Sequence, residues 1–225
     1  MTLNINCKKN CISFKENENK IYGIDVSHYQ NTHSKVDFQK LLNNKNPKIS
    51  FIYIRATMGK DGVDLAFKEN FKNAKKNGIK VGLYHYYRPN ENSIEQFENF
   101  VKNVDKIGEL PPVIDVEKMG DFGAKNLRQG ISTFLNLMEK KYKKKPIIYS
   151  PQKFYNLYLR THFSEYPIWI ARQSGIKEFP ESNQLKKEPV LFDQKCPLIW
   201  QYSGTGKVAG IEGFVDLNVA NQIFW

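Results

Sequence analysis

The chain of 225 residues has no apolar run long enough to cross a membrane. Its purely apolar stretches are only a few residues long, against the ~20 that a spanning helix needs. Cysteine is scarce: Cys7, Cys11 and Cys196 are an odd number with no CxxC pair. A metal site would need a fourth ligand at a sensible spacing, and His28, His33, His85 and His162 supply no such pattern. No metal and no other cofactor is therefore expected. Zinc-finger, recognition-helix and aromatic-glycine RNA-binding signatures are also missing, which argues against nucleic acid as a partner. The first residues lack a basic start followed by an apolar stretch of secretory length. Either export takes another route or a leader has been removed.

What is present describes a globular protein. Hydrophobic residues make up 40% and charged residues 25%, with 14 Gly and 10 Pro, which excludes collagen-like and disordered chains. A chain of this length buries about 70% of its unfolded surface. Charge is the informative deviation: 34 Lys+Arg against 23 Asp+Glu give +11 at pH 7. Such a balance suits polyanionic partners, including the acidic polymers of a bacterial envelope. A lysine-rich solvated surface fits equally well, because only Lys140, Lys141 and Lys143 to Lys145 form a dense block.

Residues 1–20 are polar and read as an N-terminal extension before a folded domain over 21–225. Beyond it, short β-rich runs alternate with helical patterns. The runs are Ile21–Tyr29, Phe51–Thr57, Lys80–Tyr87, Pro112–Glu117, Pro146–Ser150, Pro167–Arg172, Leu198–Tyr202 and Gly213–Leu217. Candidate helices are Val36–Asn44, Leu65–Asn77, Ser93–Ile107, Ala124–Tyr142 and Pro151–Leu159. Alternation of this kind predicts an α/β fold with a parallel sheet and crossover helices. Eight runs suit a closed TIM-like barrel whose last helices are reduced.

Side-chain alternation adds a second signal, since one face of each barrel strand packs on helices and the other looks inward. Placing Ile24 and Val26 outside leaves Gly23, Asp25 and Ser27 inside. The same reading puts inside Tyr53, Arg55 and Thr57; Gly82, Tyr84 and Tyr86; Val113, Asp115 and Glu117; and Phe214 and Asp216. Four carboxylic acids thus gather near the strand ends where barrel enzymes place their chemistry. Asp115 and Glu117, two apart on one strand, emerge on the same face about 6.5 Å apart at the backbone. Like charge and an apolar wall keep one of such a pair protonated near neutrality. That suits glycoside hydrolysis, in which one acid protonates the leaving oxygen. A lone DxE also fits a metal site or a solvated pair; Asp25 and Asp216, on strands that meet when the barrel closes, strengthen the catalytic reading. Tyr84, Tyr86, Trp169, Trp200 and Tyr202 offer flat apolar faces for sugar rings.

The segments YGIDVSHYQ (22–30), FIYIRATMG (51–59), VGLYHYY (81–87), PPVIDVE (111–117) and WQYSGTGKVAGIEGFVDLN (200–218) resemble the glycoside hydrolase family 25 lysozymes, the Chalaropsis-type muramidases. The resemblance covers about 21–221, with the segments in family order. It implies a flattened eight-stranded barrel that cleaves the β-1,4 bond between N-acetylmuramic acid and N-acetylglucosamine in peptidoglycan. By the family pattern, Glu117 is the general acid. Asp115 stabilises the transition state or orients the N-acetyl group, and Asp25 and Asp216 support them. Tyr84, Tyr86, Arg55, Trp169, Trp200 and Tyr202 are the expected substrate contacts. The family often has Glu where Met58 stands, and an aromatic residue where Gln173 stands.

A monomer acting on peptidoglycan glycan strands, outside the cell or in its envelope, is the matching expectation. The chain stops at Trp225 without the wall-binding repeats many relatives carry, so wall attachment would rest on the cleft and the +11 charge. The spacing of Asp115 and Glu117 does not choose between retention and inversion. The 2-acetamido group of the substrate suggests substrate-assisted catalysis with retention. Two rivals are a catalytically silent barrel that only binds wall glycan, and a metal-dependent hydrolase using the four acids as ligands. The absence of His from the inner face argues against zinc in the latter. For the cysteines, a bridge from Cys196 to Cys7 or Cys11, a Cys7–Cys11 link and three free thiols all stay open.

Overall fold

The computed structural model describes residues 11–32, 34–43, 47–179 and 185–224; Cys7, His33 and the first half of the expected extension lie outside the described residues. Eight strands close into a barrel in chain order. They are β1 (Ile21–Val26), β2 (Ile49–Met58), β4 (Lys80–Tyr86), β5 (Val113–Asp115), β6 (Ile147–Pro151), β7 (Ile168–Ala171), β8 (Ile199–Gly206) and β9 (Val215–Ala220). The two-residue β3 (Gly62–Val63) hangs antiparallel on the end of β2, and pairing of β1 with β2 completes the ring. Helices α1 (Phe38–Leu42), α2 (Phe67–Lys76), α3 (Ser93–Asn103) and α4 (Gly123–Tyr142) pack outside. The run at 151–159 becomes only a short α5 (Gln152–Phe154) and a π turn over Tyr155–Leu159.

Local chemistry sets several boundaries inside the expected ones. Asp37 accepts from the backbone N–H of Gln39 and Lys40 and starts α1 later than Val36. Asn92 accepts from Ile94 and Glu95 and starts α3 where the pattern placed it. In α4, Leu127, Ile131, Phe134, Leu135 and Met138 form the buried stripe that a core-facing helix needs.

Two apolar layers result. Outward strand residues such as Ile24, Ile52, Leu83, Ile114, Ile170 and Leu217 join the helices in one core. Inside the barrel, Phe51, Tyr53, Leu110, Val113, Ile147, Trp169 and Ile199 fill the lower end. Gly23 and Gly82 make that filling possible: a Cβ on Gly23 would lie 2.5 Å from the Phe51 ring, and one on Gly82 would overlap the Tyr53 ring. A strand glycine here marks close approach, not a break.

Three expectations are corrected. The sheet is not wholly parallel, because β9 runs antiparallel to both neighbours. Only residues 207–214, without a helix, join β8 to β9, and a short link of this kind allows antiparallel pairing alone. Asp216 still reaches the upper face, being near the start of a strand that descends. Phe214 precedes β9 and is exposed instead of facing inward. Thr57 faces outward: a bulge between Arg55 and Thr57 shifts the register, so Thr57 pairs with outward His85 and bonds its Nδ1 at 2.7 Å. One inserted residue reverses the faces beyond it.

At the lower end, Cys11 is bridged to Cys196, with Cα atoms 5.4 Å apart. The segment after Cys11 is further held by Ser13 Oγ donating to Glu188 and by Asn221 Nδ2 donating to the Ile12 carbonyl. Phe14 is buried edge-on against Trp200, 5.7 Å between ring centroids.

Candidate active site

At the upper end of the barrel is a cavity of about 230 Å³. Asp25 and Ser27 line it from β1 and its continuation, Arg55 from β2, Tyr84 and Tyr86 from β4, and Asp115 and Glu117 from β5 and the residues after it. Tyr149, Trp169, Gln201 and Asp216 complete the wall from β6, β7, β8 and β9, and Tyr29 stands at the rim. The four predicted acids therefore converge, as do Arg55, Tyr84, Tyr86 and Trp169. Trp200 and Tyr202 do not. They lie on the outer face of β8, fully buried in the helix-side core, with Trp200 Nε1 donating to the Arg172 carbonyl at 2.8 Å. Their expected place in the cleft is corrected by alternation along β8, which turns Gln201 inward between them.

A larger cavity of about 610 Å³ lies at the opposite end, beside the disulfide. Its one acid, Glu188, already accepts from Ser13 Oγ and the Lys15 N–H. Size does not locate the chemistry here; the acids do.

Each acid has a distinct setting. Asp25 faces Asp216 directly across the β1–β9 pair. Its Oδ2 accepts from Asn218 Nδ2 at 2.7 Å and Gln201 Nε2 at 2.9 Å. Those amides are themselves fixed: Trp169 Nε1 donates to Asn218 Oδ1 at 3.0 Å and Tyr149 OH to Gln201 Oε1 at 2.9 Å. Burial raises the Asp25 carboxyl to about 6, even though both amides favour the ionised form. Burial, then the charges of Asp25 and Glu117, push Asp216 up to about 8. Asp115 is raised well above the carboxylate range by burial and by Glu117 and Asp25, with Arg55 pulling the other way. Its Oδ1 is buried and has no partner. Glu117, nearer the rim, is also raised by burial, opposed by its hydrogen bond with Asp115 and by Lys118. Asp115 and Glu117 act on each other directly, so they titrate as a pair and not as two independent groups. Four carboxylates this close do not all ionise near neutrality.

Arg55 is the one basic residue among the described cavity residues. Its Nε donates to Asp64 Oδ2 at 3.0 Å, its Nη2 lies 2.6 Å from His28 Nδ1, and the guanidinium carbon is 5.4 Å from the centre of the Tyr29 ring. No group of three or more His, Cys, Asp or Glu disposed to hold a metal occurs among the described residues. No helix among them is long and apolar enough to cross a membrane.

Sequence reasoning missed Asp64, Tyr149, Gln201 and Asn218. Alternation had the signal for the last three. Gln201 and Asn218 are partners in the β8–β9 register, and Tyr149 is partnered with Asp115 across β5–β6. Asp64 had none, because it reaches Arg55 from the loop after β3.

The family model described as glycosyl hydrolases family 25 matches residues 24–211. The chain is 37% identical over 204 residues to the uncharacterised protein YegX of Escherichia coli K12, covering 89% of this chain and 70% of that protein. Lysozyme M1 of Streptomyces globisporus is 30% identical over 218 residues, covering 89% and 68%. A family 25 glycosyl hydrolase from Bacillus anthracis superposes with a TM-score of 0.76 at 32% identity, covering 90% of this chain and 89% of that one.

Proposed function

The chain belongs to glycosyl hydrolases family 25 and is a glycoside hydrolase of the lysozyme kind, and from that premise we propose a muramidase with Glu117 as its general acid. The bond cut is the β-1,4 link between N-acetylmuramic acid and N-acetylglucosamine of peptidoglycan. The observation that carries this reading is the Asp115–Glu117 pair in the cavity wall, both carboxyls raised by burial, with Glu117 the less buried of the two. A general acid must hold a proton at working pH and reach the glycosidic oxygen.

The other acids are poor nucleophiles. Asp25 is held by two amides on one oxygen. Asp216 is raised to about 8 and so stays protonated near neutrality. This favours the substrate's own 2-acetamido oxygen as nucleophile. Its carbonyl oxygen bonds to C1 while the C1–oxygen bond breaks, and the leaving oxygen takes the proton of Glu117. Water then gives a proton to Glu117 and its oxygen to C1, opening the oxazolinium ring with net retention. Asp115, with its unpartnered Oδ1, orients the acetamido N–H and balances its developing charge. Arg55, Tyr84, Tyr86 and Trp169 contact the glycan from the cavity wall.

The enzyme acts as a monomer, since all these groups come from one chain, and works outside the cytoplasm, where the Cys11–Cys196 bridge persists. Purified peptidoglycan, with mass analysis of the new reducing ends and proton NMR of the first anomer, provides the test. Muramic acid ends released first as the β-anomer are expected. Glucosamine ends would overturn the specificity, and an initial α-anomer the mechanism.

A further inference from the structure

Asp64 lies outside the cavity, yet it is bonded to three of the elements around it. Its side chain is fully buried. Oδ1 accepts from the Ala66 N–H at 3.0 Å, ahead of α2. Oδ2 accepts from the His28 N–H at 2.9 Å, beyond β1, and from Arg55 Nε at 3.0 Å, on β2. On the same guanidinium, Nη2 lies against His28 Nδ1 and the central carbon lies over the ring of Tyr29. His28 and Tyr29 are themselves packed, with centroids 4.2 Å apart. The one basic residue among the described residues of an acid-rich cavity is thus held by an acid outside it. Asp115, whose Oδ1 is buried and unpartnered, already feels the charge of Arg55.

We infer that Asp64 is a positioning residue: it holds the Arg55 guanidinium against Tyr29 and offsets its charge, so that Arg55 does not pair with the Asp115–Glu117 carboxyls that serve the glycosidic oxygen. The inference rests on the muramidase reading for its purpose, though its electrostatics do not depend on turnover. The pair is faced by Asp25 from β1, Arg55 from β2, Tyr84 and Tyr86 from β4, Tyr149 from β6 and Asp216 from β9, with Lys118 next in the chain. All but Arg55 and Lys118 are acids or phenols, which favour the protonated pair. Arg55 opposes it, and the charge of Asp64 offsets Arg55.

The test compares wild type with Asp64→Asn, Asp64→Glu and the double variant Arg55→Gln/Asp64→Asn. Two readouts are taken: the pH profile of kcat/KM on soluble peptidoglycan fragments, and carbon-detected NMR titration of the side-chain carboxyls. Asp64→Asn frees an uncompensated Arg55, so the alkaline limb and the carboxyl titration of the pair both move to lower pH, by about one unit for a nearby opposite charge. Asp64→Glu retains the charge and the wild-type midpoint even if kcat falls. The double variant removes both charges and returns the midpoint towards wild type. A fall in kcat/KM with no movement of either titration in Asp64→Asn would overturn the inference, as would a double variant shifted as far as Asp64→Asn. If wild type releases no reducing ends, the muramidase reading fails by itself, while the carboxyl titrations still decide the role of Asp64.

Discussion

Replacing Asp25 by Asn should make the protein more stable, and only above the pH at which an ordinary aspartate ionises. Asp25 is raised from 3.8 to about 6 in the folded state, chiefly by burial. In the unfolded chain it ionises near 4, while the folded protein retains the proton until about 6. Between those values the unfolded state binds fewer protons than the folded state, so stability falls as pH rises through the window. Two pKa units at 1.36 kcal/mol each put the loss at roughly 3 kcal/mol, complete above about pH 6. In a chain of this length that corresponds to about 6–12 °C in Tm. Asn cannot ionise, so the penalty disappears from the variant. Rearranged bonds to Gln201 and Asn218 are the same at every pH and cancel in the comparison, while loss of the Asp25 charge also relieves Asp115 and Asp216 and so adds in the same direction. Urea unfolding of both proteins at about pH 3 and about pH 7 gives the double difference directly. The stability of Asp25→Asn relative to wild type should rise by roughly 3 kcal/mol between the two conditions. An equal difference at both would refute the argument that burial of this carboxyl is a standing cost. Under the proposed muramidase reading, such a cost is the usual exchange of stability for function.

The remaining predictions are briefer. Glu117→Gln should lower kcat by about 10²–10⁴-fold with the unfolding transition little changed, as read from reducing-end release and thermal melting. Thiol titration of the denatured, unreduced protein should find one free cysteine of three, and Cys11→Ser should reduce stability by about 2–4 kcal/mol. Tyr202→Phe should leave KM for glycan fragments unchanged, because its ring lies in the helix-side core. It should not destabilise the protein, since it deletes a buried hydroxyl that has no partner.

Much of this site could be read from alternation along single strands. Asp25, Arg55, Tyr84, Tyr86 and Asp115 fell on the inner face because a regular strand has a period of two and nothing interrupts it. Thr57 shows where that logic stops. Nothing in ATMGK reveals the bulge that turns Thr57 to His85, and alternation was carried one residue too far. Trp200 and Tyr202 failed differently: aromatic chemistry was preferred over the face that β8 assigned to them. Asp216 was placed correctly although β9 was expected to run the other way, because the start of a descending strand and the end of an ascending one occupy the same level. Asp64 was illegible in principle. Its role arises from Arg55 and His28 meeting it in space, 9 and 36 residues away, and no local pattern encodes that meeting.

The bridge between Cys11 and Cys196 encloses 185 residue steps and with them, among the described residues, every helix and all the strands except β8 and β9. A protease that cuts any one loop inside this span does not release a fragment: the two pieces remain covalently joined through the bridge, and the barrel's own strand pairing holds the cut ends in place. A single nick would therefore pass unseen on a non-reducing gel and show as two bands only after reduction. Damage to such a loop is then a local event instead of the loss of the molecule.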